Sequence, residues 1–238
     1  MKRTRQELVV RTEKMVYGGQ ALARADRFVV FVDDALPNET VRALIYKKKK
    51  QFAFGRAVEI LEAAPERIPS DCPWTGDCGG CTFRHCAYPA QLRFKKEVLV
   101  EALHGVPGAQ ELVRDVVPAE QTQDYRNKMV FSFGATLEGE LRLGLHRRGS
   151  FMHIVPADKC WLQSAGSREI VRRILALAKQ MNLPAFHEIK KTPGLRSLTI
   201  REARNTNQRM VELVSTTAYP GLPEHLLAIL EDLVDSLY

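Results

Sequence analysis

Four of the five cysteines lie in DCPWTGDCGGCTFRHC, residues 71–86, and the fifth, Cys160, lies in PADKCWLQ. Cys72, Cys78 and Cys81 form C-x5-C-x2-C, with Gly79 and Gly80 inside the last gap. Thiolates this close can serve one metal centre if the backbone folds around it, and glycines allow that without Cβ clashes. Three thiolates leave a tetrahedral or cubane site one ligand short. Cys86 is near, and Cys160, 79 residues after Cys81, is the other candidate. Paired C-x2-C knuckles are the usual sign of zinc, and only a single C-x2-C is present here. A triplet with a distant single cysteine suits an iron–sulfur cluster better. Spacing leaves both metals open. Cys86 reads as a small buried residue. His85, His104, His153 and His187 show no HxxxH or HxH spacing and receive no metal role.

Two groups of cations come next. Lys47, Lys48, Lys49 and Lys50 fall at the tip of a predicted hairpin, where they could contact phosphates or serve as a solvated turn. YRNK (125–128) and HRR (146–148) place Arg126, Lys128, Arg147 and Arg148 on facing strands, where such side chains can read bases or phosphates of a single strand. The bland alternative is the polar face of an antiparallel sheet. Residues 1–60 hold 13 Lys/Arg against 7 Asp/Glu, a balance of +6; the other 178 hold 22 against 21, leaving +1 of the total +7. A basic excess confined to one part of the chain points to a polyanion, and nucleic acid is the commonest.

Other chemistries lack their motifs. There is no G-x-G-x-x-G after a strand, no G-x4-G-K-[ST], no H-E-x-x-H and no Ser/His/Asp constellation, so no catalytic residue and no pocket for S-adenosylmethionine is assigned. The longest apolar runs are too short to span a bilayer, and MKRTRQELVV lacks the apolar core of a signal peptide. The expected setting is cytoplasmic, without a membrane partner, where clustered thiols bind metal rather than pair.

The elements that must position these residues fall into two kinds. Residues 1–64 alternate as five short strands: 8–12, a hairpin over 21–34 turning near Ala25 and Asp26, 39–46 with Val41, Ala43 and Ile45 inward, and 52–62. Such a set predicts a basic OB-like barrel, a fold that often takes single-stranded nucleic acid. Residues 65–104 hold a proline-bearing linker, the cysteine segment and a helix over 89–105 with Leu92, Val98, Leu99 and Leu103 on its apolar period. Residues 105–238 predict an α+β unit. It has strands across 125–155 with a Glu138–Gly139 turn, a Ser-capped helix over 164–182, a hairpin over 197–216 and a last helix over 223–238.

The order of these parts resembles a known family. YGGQALAR and FVDDALPNETV resemble a TRAM domain. CPWTGDCGGC with YPAQLRFKKEVL, then YRNK…LGLHRRGSFMHIV and the later cysteine, is similar to the S-adenosylmethionine-dependent RNA uracil-C5 methyltransferases of ribosomal and transfer RNA. The resemblance implies that Cys72, Cys78, Cys81 and Cys160 hold a structural 4Fe–4S cluster. It implies that Lys47 to Lys50, Arg126, Lys128, Arg147 and Arg148 grip RNA. In that family a doubly wound, Rossmann-like domain binds the methyl donor and supplies the cysteine nucleophile. The expectation is therefore a mixed fold, a TRAM barrel plus an α+β cluster-holding domain, with that methyltransferase domain absent. On this view the chain is inactive alone, S-adenosylmethionine belongs to the full-length enzyme, and a separate catalytic domain or subunit is a candidate partner. The alternative is a stand-alone RNA-binding protein with a structural metal.

Overall fold

The computed structural model describes residues 6–26 and 28–238. The chain forms two units, one of Met1–Asp71 with Cys81–Glu120 and the other of Cys72–Gly80 with Gln121–Tyr238.

In the first unit β1 (Gln6–Val16), β2 (Gln20–Ala25), β3 (Phe28–Asp33), β4 (Thr40–Lys48) and β5 (Phe52–Glu62) close a barrel in the order β1-β2-β3-β5-β4. The β3–β5 pair is parallel and the other pairs antiparallel. Alternation drives this closure. Val10, Ala21, Ala23, Val30, Val32, Val41, Ala43 and Ala53 point inward and are buried. So many alanines suit the narrow interior of a small barrel, which side chains must fill without strain. Gly18 and Gly19, at φ 91° and 80°, make the β1–β2 turn, and Asp26 at φ 37° makes the next.

A second cluster, of Met15, Leu36, Ala64, Cys86, Ala90 and Phe94, seats α1 (Tyr88–Ala102). Pro89 lies in the first turn of α1, where its missing N–H costs nothing. The buried residues of α1 are Ala90 and Phe94, whereas Leu99 is 48% exposed. The apolar period places the seam on Leu92, Val98, Leu99 and Leu103; Val98 does pack against this cluster, and Phe94, outside that set, is the large side chain that α1 buries. Burial raises the Cys86 thiol to about 11, in keeping with a packing role. A short helix, α2 (Ala109–Leu112), follows.

The second unit is a six-stranded sheet in the order β11-β10-β9-β6-β7-β8. Its strands are β6 (Lys128–Ala135), β7 (Leu141–His146), β8 (Ile154–Pro156), β9 (Leu195–Ala203), β10 (Gln208–Ser215) and β11 (Ser236–Leu237). Gly139 at φ 88° turns β6 into β7, and Asn207 at φ 56° turns β9 into β10. Met129, Phe131, Phe133, Leu143, Leu198 and Ile200 are buried, as are Ile170, Val171, Ile174 and Leu177 of α3 (Ala165–Gln180). Ser164 caps α3 by accepting the Ser167 N–H at 3.1 Å.

The last helix is shorter than its sequence implies. α4 spans Leu222–Leu230, and Ser236–Leu237 instead pair in parallel with Met210 and Val211. The Arg173 guanidinium donates to the Ile229 carbonyl at 2.7 Å and to Asp232 at 2.6 Å. That bond takes a carbonyl the helix would otherwise use to continue. No helix among the described residues is long and apolar enough to cross a membrane.

Candidate nucleic-acid interface and cysteine loop

Residues 72–80 fold as successive turns against the end of β7. The Thr75 N–H donates to Cys72 O at 3.2 Å and the Cys78 N–H to Trp74 O at 2.9 Å, with Gly76 at φ 86°. The loop then docks by backbone, Gly79 N–H to His146 O at 3.1 Å and Arg148 N–H to Asp77 O at 2.8 Å. Both glycines of CGGC are needed for close approach. A Cβ at Gly79 would lie 3.1 Å from His146 O, and one at Gly80 would lie 2.9 Å from Leu145 Cδ1 and 3.4 Å from Cys78 Sγ.

Cys72, Cys78 and Cys160 belong to this second unit. Burial raises the Cys78 thiol, and Cys72 raises it further; the Gly80 N–H, 3.3 Å from Sγ, and Arg148 and Arg126 oppose this. Burial likewise raises Cys160, opposed first by the Leu162 N–H, with Cys78 and Cys72 adding to the rise. All five cysteines are thiols. The donor chemistry, thiols flanked by arginines and an N–H, suits a thiolate-bound group. Among the described residues no three His, Cys, Asp or Glu side chains gather closely enough to hold a metal ion. Cys81 is the next residue after Gly80 and falls in the first unit.

The predicted cations separate into three settings. Arg126 donates to Gly80 O at 3.3 Å, and Arg147 is paired with Asp77 at 2.8 Å, so both brace the cysteine loop. Arg148 is half-buried beside them and Lys128 is exposed at the start of β6. Sequence reasoning missed Arg201, which lies directly opposite Lys128 in the β6–β9 register and is also exposed. Like charges paired across strands repel, and an anion between them removes that repulsion. Only the register reveals this pair.

Lys47, Lys48, Lys49 and Lys50 stand exposed where β4 turns into β5. The Lys49 N–H closes the turn on Phe52 O at 2.8 Å. Lys47 Nζ sits 5.5 Å from the centroid of Phe54 and Lys48 Nζ 4.7 Å from that of Phe28. The alternation Phe52-Ala53-Phe54 was the available signal for these rings.

Residues 1–58 match the TRAM domain. Over 207 residues, 87% of its length, the chain is 31% identical to an uncharacterized RNA methyltransferase of Halalkalibacterium halodurans, of which it covers 45%. A Clostridium acetobutylicum counterpart is 36% identical over 84% of the chain and 44% of its own length. One from Thermotoga maritima is 34% identical over 93% and 49%. The chain thus spans about half the length of these relatives. Among solved structures, the Pyrococcus abyssi tRNA (uracil-54, C5)-methyltransferase, in complex with S-adenosyl-L-homocysteine, covers 92% of the chain at a TM-score of 0.67 and 21% identity; the match takes in 48% of that protein.

This likeness corrects the expected fold class. The methyltransferase domain was held to be absent and the chain to be a barrel with a cluster-holding α+β domain. Instead 92% of the chain follows the fold of a solved methyltransferase, and the five-stranded barrel coincides with this chain's TRAM match. The expectation rested on where the chain stops and on missing glycine-rich and nucleophile motifs, and neither measures a fold. A separate catalytic subunit finds no support in these comparisons.

Proposed function

We propose that the chain binds single-stranded RNA and serves methyl transfer from S-adenosylmethionine to uracil C5 in ribosomal or transfer RNA. The observation that carries the reading is the TRAM match over residues 1–58 together with methyltransferase relatives that match 87–93% of the chain. S-adenosylmethionine supplies the methyl group when bound. The contribution assigned to this chain's own residues is grip and orientation of RNA. Lys47 to Lys50 supply phosphate contacts from the barrel, and Lys128, with Arg201 beside it, supplies them from the sheet. Arg126, Arg147 and Arg148 hold the cysteine loop and face RNA only through their remaining donors.

For the cysteines the proposal is an iron–sulfur cluster with a structural role. Cys72, Cys78 and Cys160 are its donors within the second unit, and Cys81 is the fourth that the spacing supplies. The C-x5-C-x2-C spacing and the two close-packed glycines of the loop support it.

The RNA reading is tested by titrating labelled single-stranded RNA across salt concentrations. Log affinity is expected to fall linearly with log salt, and Lys48→Ala with Lys49→Ala to flatten the slope by about 0.7 per lost contact. An unchanged slope makes the run a solvated turn. Tritiated methyl transfer to uracil-containing RNA tests the second half of the proposal.

A further inference from the structure

The barrel's outer face carries aromatic rings that its interior does not use. On β3, β5 and β4 the inward positions are Val30 and Val32, Ala53 and Gly55, and Ala43 and Ile45. Phe31, Phe52, Phe54 and Tyr46 therefore stand outward by strand alternation. Phe31 and Phe54 are direct neighbours in the parallel β3–β5 register. Their centroids are 5.4 Å apart at an interplanar angle of 28°, and Tyr46 lies 6.4 Å from Phe54 at 23°. Phe52 closes the group edge-on, 5.6 Å from Phe54 and 6.1 Å from Phe31. Tyr46 is 53% exposed, and the three phenylalanines are half-buried.

This row is fixed in place before any ligand arrives. The Tyr46 hydroxyl donates to Asp33 Oδ2 at 2.8 Å, and the Gln20 amide holds Asp33 Oδ1 at 2.9 Å. Lys47 leans over Phe54, and Arg56 follows on the same outward row of β5, paired with Asp34 at 3.3 Å. Exposed rings interleaved with cations match what a single strand needs, π-faces for its bases and positive charge for its backbone. A protein partner is disfavoured, because lysines are depleted from protein–protein contact surfaces.

We propose that Phe31, Tyr46, Phe52 and Phe54 form a platform on which unpaired RNA bases stack, with Lys47 and Lys48 holding the phosphates alongside. The proposal rests on the RNA-binding reading and deepens it: the barrel takes bases as well as phosphates. Stacking accepts every base, so the platform separates unpaired RNA from duplex without choosing a sequence.

Fluorescence anisotropy of the full chain with labelled oligouridine, an abasic ribose-phosphate oligomer of equal length and duplex RNA tests it. Phe54→Leu and Tyr46→Leu are each expected to weaken oligouridine binding roughly tenfold, with the salt slope unchanged. Binding of the abasic oligomer, weaker in the parent, is expected to be the same in both variants. Tyr46→Leu touches no interior position, so it reads the platform even where Phe54→Leu perturbs the barrel. Tyr46→Trp is expected to show emission quenched by oligouridine and unchanged by the abasic oligomer. Parental affinity in both leucine variants would overturn the platform while leaving the lysine contacts and the RNA reading intact. Equal affinity for duplex and oligouridine would overturn the preference for unpaired bases. A dimer that the leucine variants dissociate without loss of RNA affinity would make the face a contact between copies. Failure of the parent to bind any of the three RNAs would overturn both readings.

Discussion

Glu39 has no exposed surface, yet its carboxylate is fully engaged. The Leu36 N–H reaches one oxygen at 2.8 Å, the Ala64 N–H the other at 3.3 Å, and the Arg67 guanidinium bonds both at 2.5 and 2.7 Å. Thr12 joins by accepting the Glu39 N–H at 2.9 Å. This network ties the start of β4 to β1 and to the segment leaving β5. Glu39→Gln keeps the shape but leaves the Arg67 charge, only 20% exposed, without its partner. It is expected to lower unfolding stability by about 3 kcal/mol, read as an earlier urea midpoint. Nothing in the sequence marks this residue. Asn38-Glu39-Thr40 looks like a solvated loop end, and the partner arginine lies 28 residues on in a linker. Cysteines and lysines are legible because type and local spacing alone suggest their chemistry. Glu39, Arg201 and the aromatic row become visible only when distant strands are set in register.

Elements were legible where one period governed them, and misread where a tertiary contact overrode it. The barrel strands, α3 and both hairpins of the sheet follow alternation, caps and turn residues. The segment 223–238 keeps a helical pattern through LLAILEDLV, yet the chain leaves the helix after Leu230 and adds a strand beside β10. Propensity is a weak prior against a buried sheet edge and the Arg173 clamp. The β7–β8 pair depends on a glycine in the same way. A Cβ at Gly144 would stand 1.9 Å from Val155 O and 2.8 Å from its carbonyl carbon, both of them backbone atoms. Gly144→Ala is expected to cost about 2–3 kcal/mol, because neither strand can yield without losing its ladder. Gly105→Ala, with nothing within 4 Å, is the control and is expected to change stability by less than about 0.5 kcal/mol. Thermal unfolding of the two variants beside the parent measures the difference.

At the scale of the whole molecule the basic excess lies with the barrel, and the second unit contributes its cations at chosen points. The fold class was misjudged at this scale alone, because motifs report chemistry while a superposition reports architecture. The thiols also belong here, since they come from segments far apart in the chain. Protein purified anaerobically is expected to be brown and to contain iron and sulfide, whereas a colourless protein with stoichiometric zinc would assign the cysteines to that metal instead. The second unit's being built from two separate stretches of chain has a consequence for biosynthesis. Asp77 meets Arg147 across 70 residues of chain, and Gly79 meets the backbone of His146 across a similar gap. At ~5–20 residues per second, Cys72 and Cys78 leave the ribosome several seconds before the strand that shapes their loop. During that interval they are thiols on an unfinished polypeptide, so any metal delivered to them in its final geometry arrives after the sheet is made.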